Sequence, residues 1–252
     1  MTPFTFTPDQ RTRLRSDLLE HAARDRRISG AAITGSAAAA AEDHRSDIDL
    51  AFGVADAAEL PNVLSQWTDH MYGQHQALHH VDVAFGVWIY RVFLLPGALQ
   101  VDLAFAPAAE FRALAPTFRL MFGEASEPRH LPPPQPAALI GLAWLHALHA
   151  RTSIARRHFW QAEYMISGLR DHALALACLR HGLPAIHARG IDHLPATVTA
   201  PLEPSLVRHL DATELSRAFR VALQCLLHEI RSIDEPLAQR LEATLITLSQ
   251  VA

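Results

Sequence analysis

Ile33-Thr34-Gly35-Ser36, followed after ten residues by Asp47-Ile48-Asp49-Leu50, is the stretch around which the rest of the chain is organised. An apolar run ends in a Gly-Ser turn, and the next apolar run carries two aspartates at alternate positions. Side chains alternate between faces along a strand, so Asp47 and Asp49 share one face while Ile48, Leu50 and Phe52 point into a core. Two carboxylates on one face stand about 7 Å apart by strand rise and repel each other unless a cation sits between them. A hard dication with oxygen ligands answers that need, most simply Mg2+ bound together with substrate phosphates. Gly35 lets the backbone turn tightly against a ligand, and Ser36 with the N–H groups after it can donate to phosphate oxygens at a helix start. Ala37–Ala41 reads as that short helix, with an alanine-rich filler segment as the competing reading.

Gly35-Ser36, a spacer and Ser46-Asp47-Ile48-Asp49-Leu50 together resemble the signature of the DNA polymerase β-like nucleotidyltransferase superfamily, in particular its small antibiotic-modifying branch, which acts on aminoglycosides and lincosamides. The likeness covers roughly residues 28–105. The spacer departs from the pattern at Ala39 and Ala40, where the family often has Arg and Gly; the departure touches phosphate contacts and not the metal site. The resemblance implies an α+β fold. An N-terminal nucleotidyltransferase domain, a mixed sheet flanked by helices, would be followed by an all-α C-terminal helical domain. It also implies one or two Mg2+ ions, with ATP or another nucleoside triphosphate as co-substrate. The reaction implied is transfer of a nucleoside monophosphate to a hydroxyl of a small molecule such as an aminoglycoside-like antibiotic. Two alternatives stay open. One is nucleotidylation of a macromolecule, tRNA or protein, for which Arg151, Arg156 and Arg157 form a local basic cluster. The other is a nucleotide-binding protein without catalysis.

Around the signature the pattern is that of helices and strands in turn. Thr7-Pro8-Asp9-Gln10 makes a capping-box start for a helix with Leu14, Leu18 and Leu19 on one face, running to about Arg27. Strands are expected over 28–34 and 47–54, and a helix from about Ala57 to Tyr72. Two further strands, 80–86 and 89–95, lead to Pro96-Gly97, whose type II turn makes a hairpin with a strand over 99–105. In that last strand Leu99, Val101, Leu103 and Phe105 point inward and Asp102 lies on the other face. The resemblance places the family's third carboxylate there, as metal ligand or as base toward the attacking hydroxyl. Asp82, in Val81-Asp82-Val83, has the same local pattern and is its rival; a solubility charge on an edge strand accounts equally for either.

Composition bounds the rest. At 252 residues the chain can build one large or two modest cores. No apolar run approaches the ~20 residues of a membrane span, and Met1-Thr2-Pro3-Phe4 lacks a signal-peptide pattern. A net charge of −4 gives no basic field for duplex DNA, so nucleic acid is not an expected partner. All 22 basic residues are Arg, which excludes a P-loop lysine and Schiff-base chemistry. Cys178 and Cys225 read as free thiols of a cytoplasmic protein rather than as a disulfide. The sixteen histidines lack zinc-site spacing. A homodimer remains open.

The Pro-rich stretch 127–136 reads as a stiff linker between a catalytic domain, 1–126, and a substrate-binding helical domain, 137–252. Helices are expected over 137–152, 156–181, 204–210, 211–231 and 235–250. In the second, Trp160, Glu163, Tyr164, Ser167, Arg170 and Asp171 share one face. That stripe fits a solvated face. It also fits an acceptor-binding one, with Trp160 or Tyr164 stacking a ring, Glu163 or Asp171 binding a polyol or amine, and Arg170 meeting a triphosphate.

Overall fold

The computed structural model describes residues 6–250, so the reading of Met1-Thr2-Pro3-Phe4 lies outside it. The chain divides between Leu131 and Pro132 into two compact units. The break falls inside the Pro-rich stretch. Arg129 and Leu131 donate backbone hydrogen bonds to Ala113 and Leu114 of the first unit, and Pro136 already opens a helix of the second.

The first unit is a six-stranded mixed sheet with helices α1 (Pro8–Arg24), α2 (Gly35–Ala38) and α3 (Leu60–His75). Its strands are β1 (Ile28–Thr34), β2 (Ile48–Val54), β3 (His79–Phe85), β4 (Trp88–Leu95), β5 (Leu99–Pro107) and β6 (Phe118–Gly123). The order across the sheet is β3-β4-β5-β2-β1-β6, antiparallel throughout except for the parallel pair β2–β5. The capping box at Thr7 forms, with the Thr7 hydroxyl accepting from Gln10 N–H and Gln10 reaching back to Thr7 N–H. The helix stops at Arg24 rather than Arg27 because Asp25 takes the Arg27 N–H and guanidinium, a local polar turn that competes with the helical ladder. Gly97 sits at φ 80° and ψ 13° in the Pro96–Ala98 turn joining β4 to β5, the left-handed conformation that glycine adopts freely. Helices α1 and α3 bury Leu18, Val63, Trp67 and Met71 against Ile33, Leu50, Phe52, Leu103 and Phe105 on one face of the sheet. β6 pairs antiparallel with β1 at the edge of the sheet.

The second unit is helical: α4 (Pro136–Ala155), α5 (Phe159–Arg180), α6 (Ala196–Thr199), α7 (Ala212–Ile233) and α8 (Glu235–Ser249). Asp211 and Asp234 cap α7 and α8 through Glu214 N–H and Leu237 N–H, and Gly182 at φ 67° closes α5. The helix expected over 204–210 does not form. Only a 3-10 turn, Glu203–Ser205, stands there, and Arg217 takes the Pro204 and Leu206 carbonyls that a helix would have used. The two cysteines are free, Cys178 buried and Cys225 partly so. No helix among the described residues is long and apolar enough to cross a membrane.

Candidate active site

The register of the sheet decides which side chains meet. Asp49 lies across from Asp102 on the parallel pair β2–β5, and Asp102 lies across from Val92 on β4. Like ends of parallel neighbours coincide, so two carboxylates distant in sequence land side by side on one face. Asp47, immediately before β2, joins them: one carboxylate oxygen from each of Asp47, Asp49 and Asp102 lies within 4.8 Å of the others. Among the described residues no other such group of His, Cys, Asp or Glu occurs. The side chains thus converge more closely than the strand rise alone suggests.

Of the three, Asp102 is the one whose ionisation its surroundings disfavour. Asp102 is pushed up to about 6, first by burial and further by the charge of Asp47, while a hydrogen bond from Gln100 Nε2 (2.9 Å) works the other way. A divalent cation would relieve both burdens at once, and oxygen-only ligands suit Mg2+ or Mn2+. Asp82 has no part in this. It pairs with Arg91, whose register partner on β5 is Leu103, so both stand on the opposite, helix-covered face. There Arg91 grips Asp82 at 2.6 and 2.7 Å and binds Leu64 O and Thr68 Oγ1 on α3. That ion pair holds the Asp82 carboxyl below the usual carboxylate range.

Gly35 is pressed against the acids. Its φ is +62°, and a Cβ at this position would lie 2.0 Å from Asp49 Oδ2. Only glycine serves where backbone must be both left-handed and in contact with a carboxylate. Next to it the Ser36 hydroxyl is buried and makes no hydrogen bond within the protein. A buried hydroxyl without a partner is costly unless a ligand completes it. The expected short helix is only four residues, Gly35–Ala38, and Ala40 at φ 54° has already left it. Its dipole is therefore negligible, and the turn offers only the N–H groups of its first residues and the Ser36 hydroxyl.

One part of the site was not singled out in the sequence. Arg11 on α1 is 3% exposed, and its guanidinium donates to Asp43 O (2.7 Å) and Ser46 O (2.9 Å), the residue before Asp47. Glu42 pairs with Arg11 at 3.3 Å and with Arg15 at 2.6 Å. Within the loop, Asp43 N–H donates to Ser46 Oγ and Arg45 N–H to Asp43 Oδ1. Two arginines thus clamp the spacer that delivers Asp47. The signal was present: Arg11 occupies the buried stripe that continues through Leu18 and Ala22, where an unpaired charge is not tolerated.

The residues expected to bind an acceptor lie on α5, in the second unit. Trp160 and Tyr164 are strongly exposed there. Ser167 Oγ donates to Glu163 (2.6 Å), and Arg170 donates to Ser167 Oγ (3.0 Å) and Ser205 O (3.4 Å), so Arg170 is engaged within its own unit. Ile166, Leu169, Ala173 and Leu176 form the buried opposite side of the helix.

Fold and site together define an α+β protein whose mixed sheet gathers three acids beside a Gly-Ser turn, followed by a helical unit. No family model and no curated protein matches the chain. Among solved structures it is similar to an aminoglycoside 6-adenyltransferase from Bacillus subtilis, at 12% identity and a TM-score of 0.42, over 92% of this chain and 96% of that one. At that level the likeness assigns no residue a role.

Proposed function

We propose that the chain transfers a nucleoside monophosphate from a nucleoside triphosphate, ATP first among them, to a hydroxyl of a small molecule. The observation that carries this reading is the convergence of Asp47, Asp49 and Asp102 against Gly35 and the unpartnered Ser36 hydroxyl. The three acids are the residues that would hold Mg2+, which when bound supplies charge neutralisation at the phosphates. Ser36 and the N–H groups of its turn hold the outer phosphates. The acceptor oxygen attacks the α-phosphorus and a new O–P bond forms. The bond from that phosphorus to the α,β-bridging oxygen breaks, and pyrophosphate leaves with the bonding pair. Asp102 takes the hydroxyl proton. Fixed position of donor, acceptor and acids contributes most of the acceleration. The stripe on α5 has no assigned part in these steps.

Titration calorimetry with a non-hydrolysable ATP analogue tests the reading. Binding that requires Mg2+ and is lost in Asp47→Ala supports it. Failure of all four nucleotide analogues to bind, with Mg2+ present, overturns it.

A further inference from the structure

The strands beyond Asp102 carry a surface that the transfer steps leave unused. On β3 and β4 the register puts Val81 beside Val92, Val83 beside Tyr90 and Phe85 beside Trp88. On the other side of β4, Val92 meets Asp102 and Tyr90 meets Ala104. One lateral row therefore runs Asp49, Asp102, Val92, Val81, and the next runs Ala51, Ala104, Tyr90, Val83. All stand on the face that bears the acids. Val81, Val83 and Phe85 are 55%, 53% and 48% exposed, unusual for three apolar side chains in succession on one strand face. Apart from His79 at its end, the two strands place no ionisable side chain on this face. At the other end Trp88 is buried against Phe111, so the exposed part is the β3 row, whereas the reverse is closed by α3 through Arg91–Thr68 and Tyr72–His80.

Strand order says which reactant lies here. Gly35 and Ser36 follow β1, on one side of Asp49, and Asp102, β4 and β3 lie on the other. With phosphates at Ser36 and the reacting phosphorus at the acids, the hydroxyl that attacks from the far side must come from over β4 and β3. We propose that this bare face of the β3–β4 hairpin is the floor of the acceptor site, and that the acceptor presents an uncharged, apolar flank to it. The inference rests on the nucleotidyl-transfer reading and narrows its substrate class: a hydroxylated molecule with an alkyl or aryl portion next to the reacting hydroxyl, rather than a polycation. The exposed row from Val81 to Phe85 measures about 14 Å along the strand, room for one ring system or a short chain.

The test compares octyl β-D-glucoside, below its micellar concentration, with methyl β-D-glucoside, which offers the same hydroxyls without the tail. Binding to the full chain is read by saturation-transfer NMR, with and without the Mg2+–ATP analogue. The octyl compound is expected to bind at least tenfold tighter than the methyl compound and to bind alongside the analogue. Val81→Thr/Val83→Thr keeps the β-branched shape but adds hydroxyls, and should weaken octyl glucoside binding three- to tenfold. Ile186→Thr, at an exposed apolar residue of the helical unit, should leave it unchanged. Equal binding of the two glucosides, no effect of the double variant, or displacement of the analogue by octyl glucoside overturns the inference. Light scattering that shows a dimer lost in the double variant also overturns it, because the face would then belong to a second copy. The analogue binds or fails independently of either glucoside, so failure of the proposed function is read separately.

Discussion

Replacing Asp102 by Asn should make the metal-free protein more stable while removing the proposed transfer activity. In the folded chain Asp102 is pushed up to about 6 from an ordinary 3.8. Its proton is therefore held more tightly folded than unfolded. Folding is least burdened below pH ~3.8, and the burden grows as pH rises through about 6. The full shift of roughly two pH units corresponds to about 3 kcal/mol at neutral pH. Because the carboxyl is only partly buried, solvent screening reduces that to ~1–2 kcal/mol. Asn has nearly the same shape and no charge, so Asp102→Asn should gain that amount at pH 7.5 in EDTA, a rise of ~3–6 °C in midpoint. At pH 5 the wild type has already taken up much of the proton, and the advantage should shrink to about half. Mn2+ should stabilise the wild type and not the variant, reversing their order. Thermal and urea unfolding followed by circular dichroism at the two pH values gives all three comparisons. A variant that melts at or below the wild type at pH 7.5 in EDTA, or an advantage independent of pH, would refute the argument that crowded, desolvated acids define this site.

Gly35→Ala places a methyl 2.0 Å from Asp49 Oδ2 at φ +62°, and should weaken Mn2+ binding at least tenfold by calorimetry with the helical content unchanged. Arg11→Met removes the donors to Asp43 O and Ser46 O, so it should cost ~2–4 kcal/mol and speed hydrogen exchange at residues 43–47 before the rest of the sheet. Gly168→Ala drives a Cβ to 2.4 Å from the His146 ring, and a loss of ~1–3 kcal/mol is expected in the helical unit's melting step. His70 is lowered to about 4 by burial and by its neighbours His21 and His75, so its contribution to stability is complete above about 6.5 and is lost as pH falls toward 4. His70→Phe, which keeps the ring beside Trp67 and His21, should flatten that acid-side decline; an unchanged profile between pH 6.5 and 4.5 would exclude His70 as its source.

Much of this was legible in the chain because the information was local. The strand over 28–34, the capped start at Thr7, the Pro96-Gly97 turn and the inward set Leu99, Val101, Leu103 and Phe105 follow from period and turn chemistry alone. β6 was not legible, since Phe118–Gly123 is largely exposed and becomes a strand only by pairing with β1, far back in the chain. Asp82 and Asp102 looked alike because each sits between apolar neighbours on a strand; only the register across β4 puts them on opposite faces. Arg11 could be suspected from its place in an apolar stripe, but its partners are backbone carbonyls, which no residue pattern announces. The missing helix after residue 203 failed for a similar reason, as a distant guanidinium claimed its carbonyls.

The parallel pairing of β2 with β5 also has a kinetic side. The meander β3-β4-β5 closes through two short turns, whereas β2 reaches β5 only across that whole meander. Loop closure of that length is slow compared with hairpin formation, so the join between β2 and β5 is a natural late event in folding. It is also the step that brings Asp49 and Asp47 against Asp102, and gathering like charges there opposes it. A divalent cation at these acids would therefore act as a folding ligand, pulling the last strand into place, and refolding of this unit should accelerate with Mg2+ or Mn2+ at concentrations that leave earlier steps unaltered.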